Sequence, residues 1–143
     1  MIRIKPSPWN NMLAHARAAY PSECCGAMLG RAEAGLKVVT AALPLENAFQ
    51  GPRENRYELR PEDLLAATHE ARRRGLELIG IYHSHPDREA YFSQIDLRNS
   101  CPWYSFVVLA IRNGEFDHAK SWLPDAGETR AEQEELITPE GGV

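Results

Sequence analysis

The sequence predicts a single α/β (α+β) domain, in which helices and strands alternate along the chain. Two segments place apolar residues at helical spacing, and short apolar runs of strand length lie before and after them. The chain has 143 residues, the size of one ordinary domain. Because no repeat, linker or low-complexity segment divides it, we expect one domain over residues 1–137 and a flexible tail over residues 138–143.

The first half of the chain is predicted to hold one helix between strands. Ser7 suits an N-cap because Pro8 follows at the first helical position, and Pro21 ends the helical pattern. Alternating or small apolar residues indicate the neighbouring strands. We expect these strands over residues 2–4, 24–29 and 36–43.

The second half begins with a polar loop over residues 47–56. Pro61, with acidic residues behind it, opens the second helix, and Gly75 ends it. Asn113-Gly114 is typical of a tight turn between paired strands. We expect strands over residues 76–82, 105–111 and 116–123, and a tail from Asp125 that is part helix and part disorder.

Composition excludes several classes of partner. The net charge is −4 at pH 7, so nothing favours a nucleic-acid partner. No apolar stretch approaches the roughly 18 residues of a membrane span, and the N-terminus lacks the apolar run of a signal peptide. Three cysteines, two of them adjacent, make a poor disulfide framework. We therefore expect a cytoplasmic protein with no membrane partner.

The segment YHSHPDREAYFSQID, residues 82–96, carries the strongest functional signal. On a strand, residues two apart point to the same side, so His83 and His85 can present their imidazoles together. On a helix, residues three apart share a face, so Ser93 and Asp96 also converge. Two imidazoles and one carboxylate supply the three protein ligands of a catalytic zinc, which keeps its fourth position open.

The same residues have simpler explanations. A His-x-His pair also occurs as the polar end of a strand, and Ser93 with Asp96 also fits a capping box loosely. Capping is compatible with a metal site, because an N-capping serine orients the turn that carries Asp96. The co-occurrence of both pairs within a few residues favours the metal site.

Other candidate groups are weaker. Cys24 or Cys25 with a distant histidine could form a thiol hydrolase, but buried structural cysteines are the better expectation. We expect His15, His69 and His118 to be surface residues that are solvated or hydrogen-bonded.

The string His83-Ser84-His85, then seven residues, Ser93, two residues and Asp96 resembles the JAMM signature of MPN-domain metalloproteases. Further segments resemble the family's framework, and two of them resemble a small bacterial branch of peptidases associated with ubiquitin-like sulfur-carrier proteins. The similarity covers nearly all of residues 3–137. Its segments are residues 21–30, Asn47, Arg56-Tyr57, the helix from Pro61, residues 74–80, 102–105 and 121–122.

The resemblance implies a mixed β-sheet flanked by helices, of the cytidine-deaminase-like type, and one Zn²⁺ per chain with a catalytic water. His83, His85 and Asp96 would be the metal ligands. Glu23 would be the general base that activates the water and later returns the proton to the leaving amine. Ser93 would hydrogen-bond the oxyanion. The assignment of Glu23 as the base rests on the resemblance alone, because a lone glutamate before a strand is usually a surface residue.

The activity that the resemblance implies is a zinc-dependent metallopeptidase or isopeptidase. It would hydrolyse the amide bond after the C-terminal Gly-Gly of a ubiquitin-like or sulfur-carrier protein, joined to an amine such as cysteine or lysine. The alternative is a non-catalytic MPN scaffold that binds partners, although such members usually lack some of the site residues that are all present here. One position departs from the family: Phe92 stands where many relatives have proline, which changes the loop beside the site but removes no ligand.

Overall fold

The computed structural model describes residues 1–142 and places nine strands and three helices in them. The helices are α1 (Pro6–Ala19), α2 (Pro61–Arg73) and the short α3 (Gln94–Arg98). The strands are β1 (Ile2–Ile4), β2 (Cys25–Glu33), β3 (Leu36–Leu45), β4 (Glu77–Pro86), β5 (Ser105–Arg112), β6 (Glu115–Pro124), β7 (Ala131–Glu134), β8 (Leu136–Thr138) and β9 (Gly141–Gly142).

All nine strands join one mixed sheet in the order β7-β6-β5-β4-β2-β3-β1-β8-β9. Three neighbouring pairs are parallel, β1 with β3, β1 with β8 and β4 with β5, and the others are antiparallel. Strand β4 lies between β2 and β5, so it is buried by neighbours on both sides. The predicted α/β (α+β) class with a mixed sheet is therefore confirmed.

The sheet curls so strongly that its two ends come together. Glu135 alone connects β7, at one edge, to β8, which lies next to the opposite edge. The backbone N–H of Ile2 in β1 donates to the carbonyl oxygen of Glu135 at 2.9 Å. The concave side is filled by α1, whose Trp9, Met12 and Leu13 belong to the largest group of buried apolar side chains.

Helix α2 covers the convex side of the sheet through small residues. Ala67 and Ala71 are buried against Ala27 and Leu29 of β2. Short side chains let the helix approach the sheet closely. This packing fixes β2, and β2 in turn pairs with β4.

Most elements lie where the sequence predicts them. The turn at Asn113 and Gly114 joins β5 to β6, and both residues have positive φ, as a tight hairpin turn requires. Helix α1 begins at Pro6 rather than after Ser7, because Pro6 itself occupies the first turn and Lys5 is the N-cap. Strand β4 is longer than predicted, because its pairing with β5 continues to Pro86.

The expected helix in the tail from Asp125 is wrong. Residues 131–134 pair with the edge of β6 as β7, and residues 136–138 pair with β1 as β8. The pairing of β8 with β1 joins segments far apart in sequence, which a local pattern does not reveal. Strand β7 follows β6 across residues 125–130, but its sequence AEQE has no apolar alternation to indicate a strand. The domain boundary at residue 137 stays a prediction; it falls inside β8, and Val143 of the predicted tail lies outside the described residues. No helix within residues 1–142 combines the length and apolar character needed to cross a bilayer.

Candidate metal centre

Strand β4 presents His83 and His85 on the same face of the sheet. Both side chains are completely buried, and their Nε2 atoms lie 3.2 Å apart. Two strands hold this position, since Cys25 of β2 pairs with His83 and Ala110 of β5 pairs with His85. The histidines therefore lie within the sheet, not on a frayed strand end.

Helix α3 brings Asp96 to the two imidazoles. Its Oδ2 lies 3.2 Å from Nε2 of His83 and 3.1 Å from Nε2 of His85. Burial alone would raise the pKa of the Asp96 carboxyl, but the two histidines hold that pKa well below its usual range. Asp96 is thus an anion at neutral pH, as a metal ligand must be.

These three ligand atoms have the spacing of a tetrahedral zinc site. Atoms bound to Zn²⁺ at 2.0–2.1 Å in tetrahedral directions lie about 3.3 Å from one another. The distances of 3.1–3.2 Å among the two Nε2 atoms and Oδ2 are close to that spacing. Within residues 1–142 this is the one group of three such side chains that converge closely enough to hold a metal.

The other ring nitrogen of His85 fixes its tautomer. Nδ1 lies 2.8 Å from the carbonyl oxygen of Glu89, which can only accept, so Nδ1 carries the proton. Burial also lowers the pKa of His85, which keeps the ring neutral and leaves the Nε2 lone pair for a metal. For His83, burial lowers the pKa but the nearby Asp96 carboxylate outweighs it, and the pKa is raised. The three ligand atoms therefore fit a zinc ion by type and spacing, and the tautomer of His85 fits it as well.

Ser93 caps α3, as the alternative interpretation predicted. Its Oγ accepts from the backbone N–H of Asp96 at 3.0 Å, and its own N–H donates to Oδ2 of Asp96 at 3.1 Å. This is a capping box with aspartate in place of the usual glutamate. A hydroxyl accepts and donates at once, so Ser93 retains its O–H for a further acceptor. Capping and contact with a substrate are compatible.

Glu23 lies beside the histidines because β2 and β4 are in register. Cys25 pairs with His83 at the start of the antiparallel ladder, and Glu23 precedes this pair by two residues. The backbone N–H of Ser84 donates to the carbonyl of Cys24, which extends the ladder in this direction. The Glu23 side chain is only 1% exposed.

Arg88 forms an ion pair with Glu23 that the sequence does not predict. Its Nη2 donates to Oε2 of Glu23, while Oε1 of the same carboxylate is buried with no hydrogen-bond partner among the described residues. Burial raises the pKa of Glu23 to about 7, although His83 and Arg88 act in the opposite direction. A carboxyl with its pKa near neutrality can both take and return a proton.

Aromatic rings pack around the candidate centre. The ring of Tyr57 stacks on His83 with centroids 4.5 Å apart. Phe92, at the position that departs from the family pattern, lies 6.4 Å from the His83 ring and packs on Phe106 and Trp122 at 5.5 and 6.4 Å. These rings exclude water, which strengthens electrostatic interactions within the site.

Strand β6 holds the loop between β4 and α3. His118 accepts from the backbone N–H of Ala90 at 3.0 Å, and the indole N–H of Trp122 donates to the Ala90 carbonyl at 2.9 Å. The neighbouring Glu89 carbonyl is the group that orients His85. The expectation that His118 is hydrogen-bonded holds, but its partner is part of the site's support. Sequence offered no signal for this role, because β6 meets the loop only in the folded sheet.

The cysteines do not support a thiol nucleophile. Cys24 and Cys25 are buried, and burial raises the pKa of the Cys24 thiol to about 11. A thiolate is therefore scarce at neutral pH. Nδ1 of His15 forms a hydrogen bond of 2.7 Å with the hydroxyl of Tyr82, on the side of the sheet that α1 covers.

Comparisons with known proteins identify relatives of this chain. A family model described as prokaryotic homologs of the JAB domain matches residues 7–125. A desampylase from Haloferax volcanii is 32% identical over 120 residues, which cover 81% of this chain and 84% of that protein. A CysO-cysteine peptidase from Mycobacterium tuberculosis is 29% identical over 114 residues, which cover 79% of this chain and 75% of that protein.

A solved structure of a protein from Desulfitobacterium hafniense is also similar. It shares 31% identity at a TM-score of 0.84, over 96% of this chain and 92% of that chain. The range matched by the family model contains all five residues that form the candidate centre, Glu23, His83, His85, Ser93 and Asp96.

Proposed function

The chain belongs to the family of prokaryotic JAB-domain homologues, and from this we propose that it is a zinc-dependent metallopeptidase or isopeptidase. Its substrate would be an amide bond that follows the C-terminal Gly-Gly of a ubiquitin-like or sulfur-carrier protein. Two similar proteins carry names of this kind, desampylase and CysO-cysteine peptidase.

One observation carries the proposal: three metal-binding atoms and a buried carboxylate meet at one place. Nε2 of His83, Nε2 of His85 and Oδ2 of Asp96 would hold the zinc ion. Glu23 precedes the β2 residue that pairs with His83, and its carboxyl interacts electrostatically with His83 and Asp96. Its Oε1 has no hydrogen-bond partner among the described residues. A purely structural zinc site is closed by four protein ligands, whereas three ligands leave a position for the reaction.

A bound zinc ion would lower the pKa of water from about 15.7 toward about 7 and polarise the scissile carbonyl. Glu23 Oε1 would take a proton from the attacking water and return it to the leaving amine. Its pKa of about 7 matches both tasks at neutral pH. The free O–H of Ser93 would donate to the oxygen on which negative charge develops.

An extended Gly-Gly end suits the space beside the centre. A cavity of about 330 Å³ is lined by residues that include Tyr57, whose ring stacks on His83. Glycine has no side chain to exclude from a narrow path and adopts extended conformations readily. A flexible diglycine is therefore the kind of segment that a cavity next to Tyr57 would accept.

The experiment is incubation of the zinc-loaded protein with ubiquitin-like carriers whose Gly-Gly end bears one cysteine, followed by intact mass. We expect the mass of each accepted carrier to fall by one cysteine residue. The matched control is Asp96→Asn, which we expect to leave the carriers intact. No mass loss across several carriers, with zinc bound, would favour the non-catalytic scaffold instead.

A further inference from the structure

The Glu23–Arg88 pair has a geometry that bears on the leaving group, and the argument rests on the proposed function. Nη2 of Arg88 donates to Oε2 of Glu23, and Nη1 donates to the hydroxyl of Tyr91 at 3.4 Å. A guanidinium has five N–H donors, so these two bonds do not exhaust it. The Arg88 side chain is 27% exposed, which leaves part of its edge open to a ligand.

The two carboxylate oxygens of Glu23 therefore have different surroundings. Oε2 faces Arg88, and Oε1 is buried without a partner among residues 1–142. The group that returns a proton to the leaving amine must lie within hydrogen-bond reach of that nitrogen. Because Oε2 is occupied, the leaving nitrogen would lie at Oε1, separated from the oxygen that Arg88 binds only by the width of one carboxylate.

An amino acid released through its α-amine carries a carboxylate two bonds from the nitrogen, about 3 Å away. A nitrogen at Oε1 would thus bring that carboxylate to the open edge of Arg88. Without such a cation, the carboxylate would lie near the Asp96 carboxylate in a poorly solvated site. Arginine pairs with carboxylates through parallel N–H donors better than any other side chain.

We propose that Arg88, assisted by Tyr91, forms a subsite for the free α-carboxylate of a single amino acid joined to the carrier's Gly-Gly end. The subsite selects conjugates of one amino acid over conjugates in which that carboxyl continues as a peptide or amide. Tyr91 suits the mouth of this subsite, because its ring is 44% exposed and lies 5.1 Å from the ring of His85.

The test uses the full-length, zinc-loaded protein and two substrates that differ in one group. Each is a ubiquitin-like carrier extended beyond Gly-Gly by one cysteine, which ends as a free carboxylate in one substrate and as a primary carboxamide in the other. Intact mass over time gives kcat/KM for both. The carboxamide has the less basic leaving amine, so a preference for the free acid has to come from binding.

We expect the wild-type protein to hydrolyse the free acid about 10-fold to 100-fold faster in kcat/KM, the effect of one charge-assisted hydrogen-bond pair. In Arg88→Met the preference for the free acid should disappear, because only the difference in leaving-amine basicity then distinguishes the two substrates. This holds whatever the absolute rates are. Arg88→Lys keeps the charge without the planar fork, so its ratio should lie between the two. Arg130→Met is the matched control, since Arg130 pairs with Glu132 beside β7 and its loss should leave the ratio as it was.

Equal wild-type rates on both substrates would overturn the inference and leave the peptidase proposal standing. The same holds if Arg88→Met lowers both rates by one factor, because Arg88 would then only position Glu23. Cleavage of neither substrate by wild-type protein would count against the peptidase proposal itself, and the inference would fall with it. The wild-type ratio decides even if a variant does not fold.

Discussion

The backbone N–H of Ala90 donates a hydrogen bond of 3.0 Å to Nε2 of His118, which ties the loop beside the metal ligands to strand β6. The adjoining Glu89 carbonyl accepts from Nδ1 of His85 at 2.8 Å. The orientation of one ligand thus depends on a residue that does not touch the metal position. Groups that orient ligating histidines contribute strongly to metal affinity in other zinc proteins.

His118→Ala should therefore weaken zinc binding by about 10-fold to 100-fold while the sheet stays folded. Competition with a chromogenic chelator measures the affinity, and circular dichroism monitors the fold. His69→Ala is the matched control, because His69 lies on the exposed side of α2. Equal zinc affinity in His118→Ala and wild-type protein would show that the Glu89 carbonyl keeps its place without His118.

Asp96→Asn should remove most of the zinc from a protein that otherwise approaches one zinc ion per chain. Asparagine lacks the negative charge with which Asp96 would bind the metal ion between the two histidines. The cap should remain, because the Ser93 hydroxyl accepts from the backbone N–H of residue 96 whatever its side chain. Metal analysis of chelator-free protein gives the stoichiometry. Asp63→Asn, in the first turn of α2, removes an equal charge away from the centre and should retain zinc.

Chelation should also lower the melting temperature of wild-type protein but not that of Asp96→Asn, because a ligand stabilises only the state that binds it. A wild-type melting curve that does not respond to chelator and zinc would argue against the metal assignment.

Local patterns predict much of this molecule. The hairpin at Asn113 and the helix from Pro61 follow from turn and cap residues next to one another in sequence. His83, His85, Ser93 and Asp96 follow from the two-residue and three-residue periods of strand and helix. In each case the geometry that brings the groups together lies within a few residues.

What local patterns could not predict depends mostly on pairing between distant segments. Glu23 comes close to His83 only through the pairing of β2 with β4, so its residue type alone carried no signal and its role followed from the family resemblance. The partnership of Arg88 with Glu23 and the contact of His118 with Ala90 arise in the same way. Strand β8 was missed for this reason too, because it pairs with β1 at the start of the chain. Strand β7 pairs with the preceding β6 and was missed because its sequence AEQE lacks the apolar pattern of a strand.

Ser93→Ala should lower kcat by about 100-fold or more, the usual effect of losing one oxyanion donor. It should also cost about 1 kcal/mol of stability through the lost cap. Because Asp96 and the histidines remain, zinc content should change little. Ser93→Thr keeps the hydroxyl for both tasks and should recover most of the activity. If Ser93→Ala keeps the wild-type kcat, Ser93 is a cap alone.

Glu23→Gln tests the proton transfer. The amide nearly matches the carboxylate in shape but cannot take a proton at neutral pH, so hydrolysis of a cysteine-bearing carrier should fall below detection. Glu23 lies outside the three residues that would hold zinc, so the variant should bind one zinc ion per chain, as the wild-type protein would. Glu33→Gln, in the exposed end of β2, removes the same charge and should keep full activity.

Measured together, zinc content and kcat separate a role in proton transfer from a role in metal binding. Loss of activity with zinc retained supports Glu23 as the base. Substantial hydrolysis by Glu23→Gln would assign the proton to another group, and loss of zinc would make Glu23 part of the metal site.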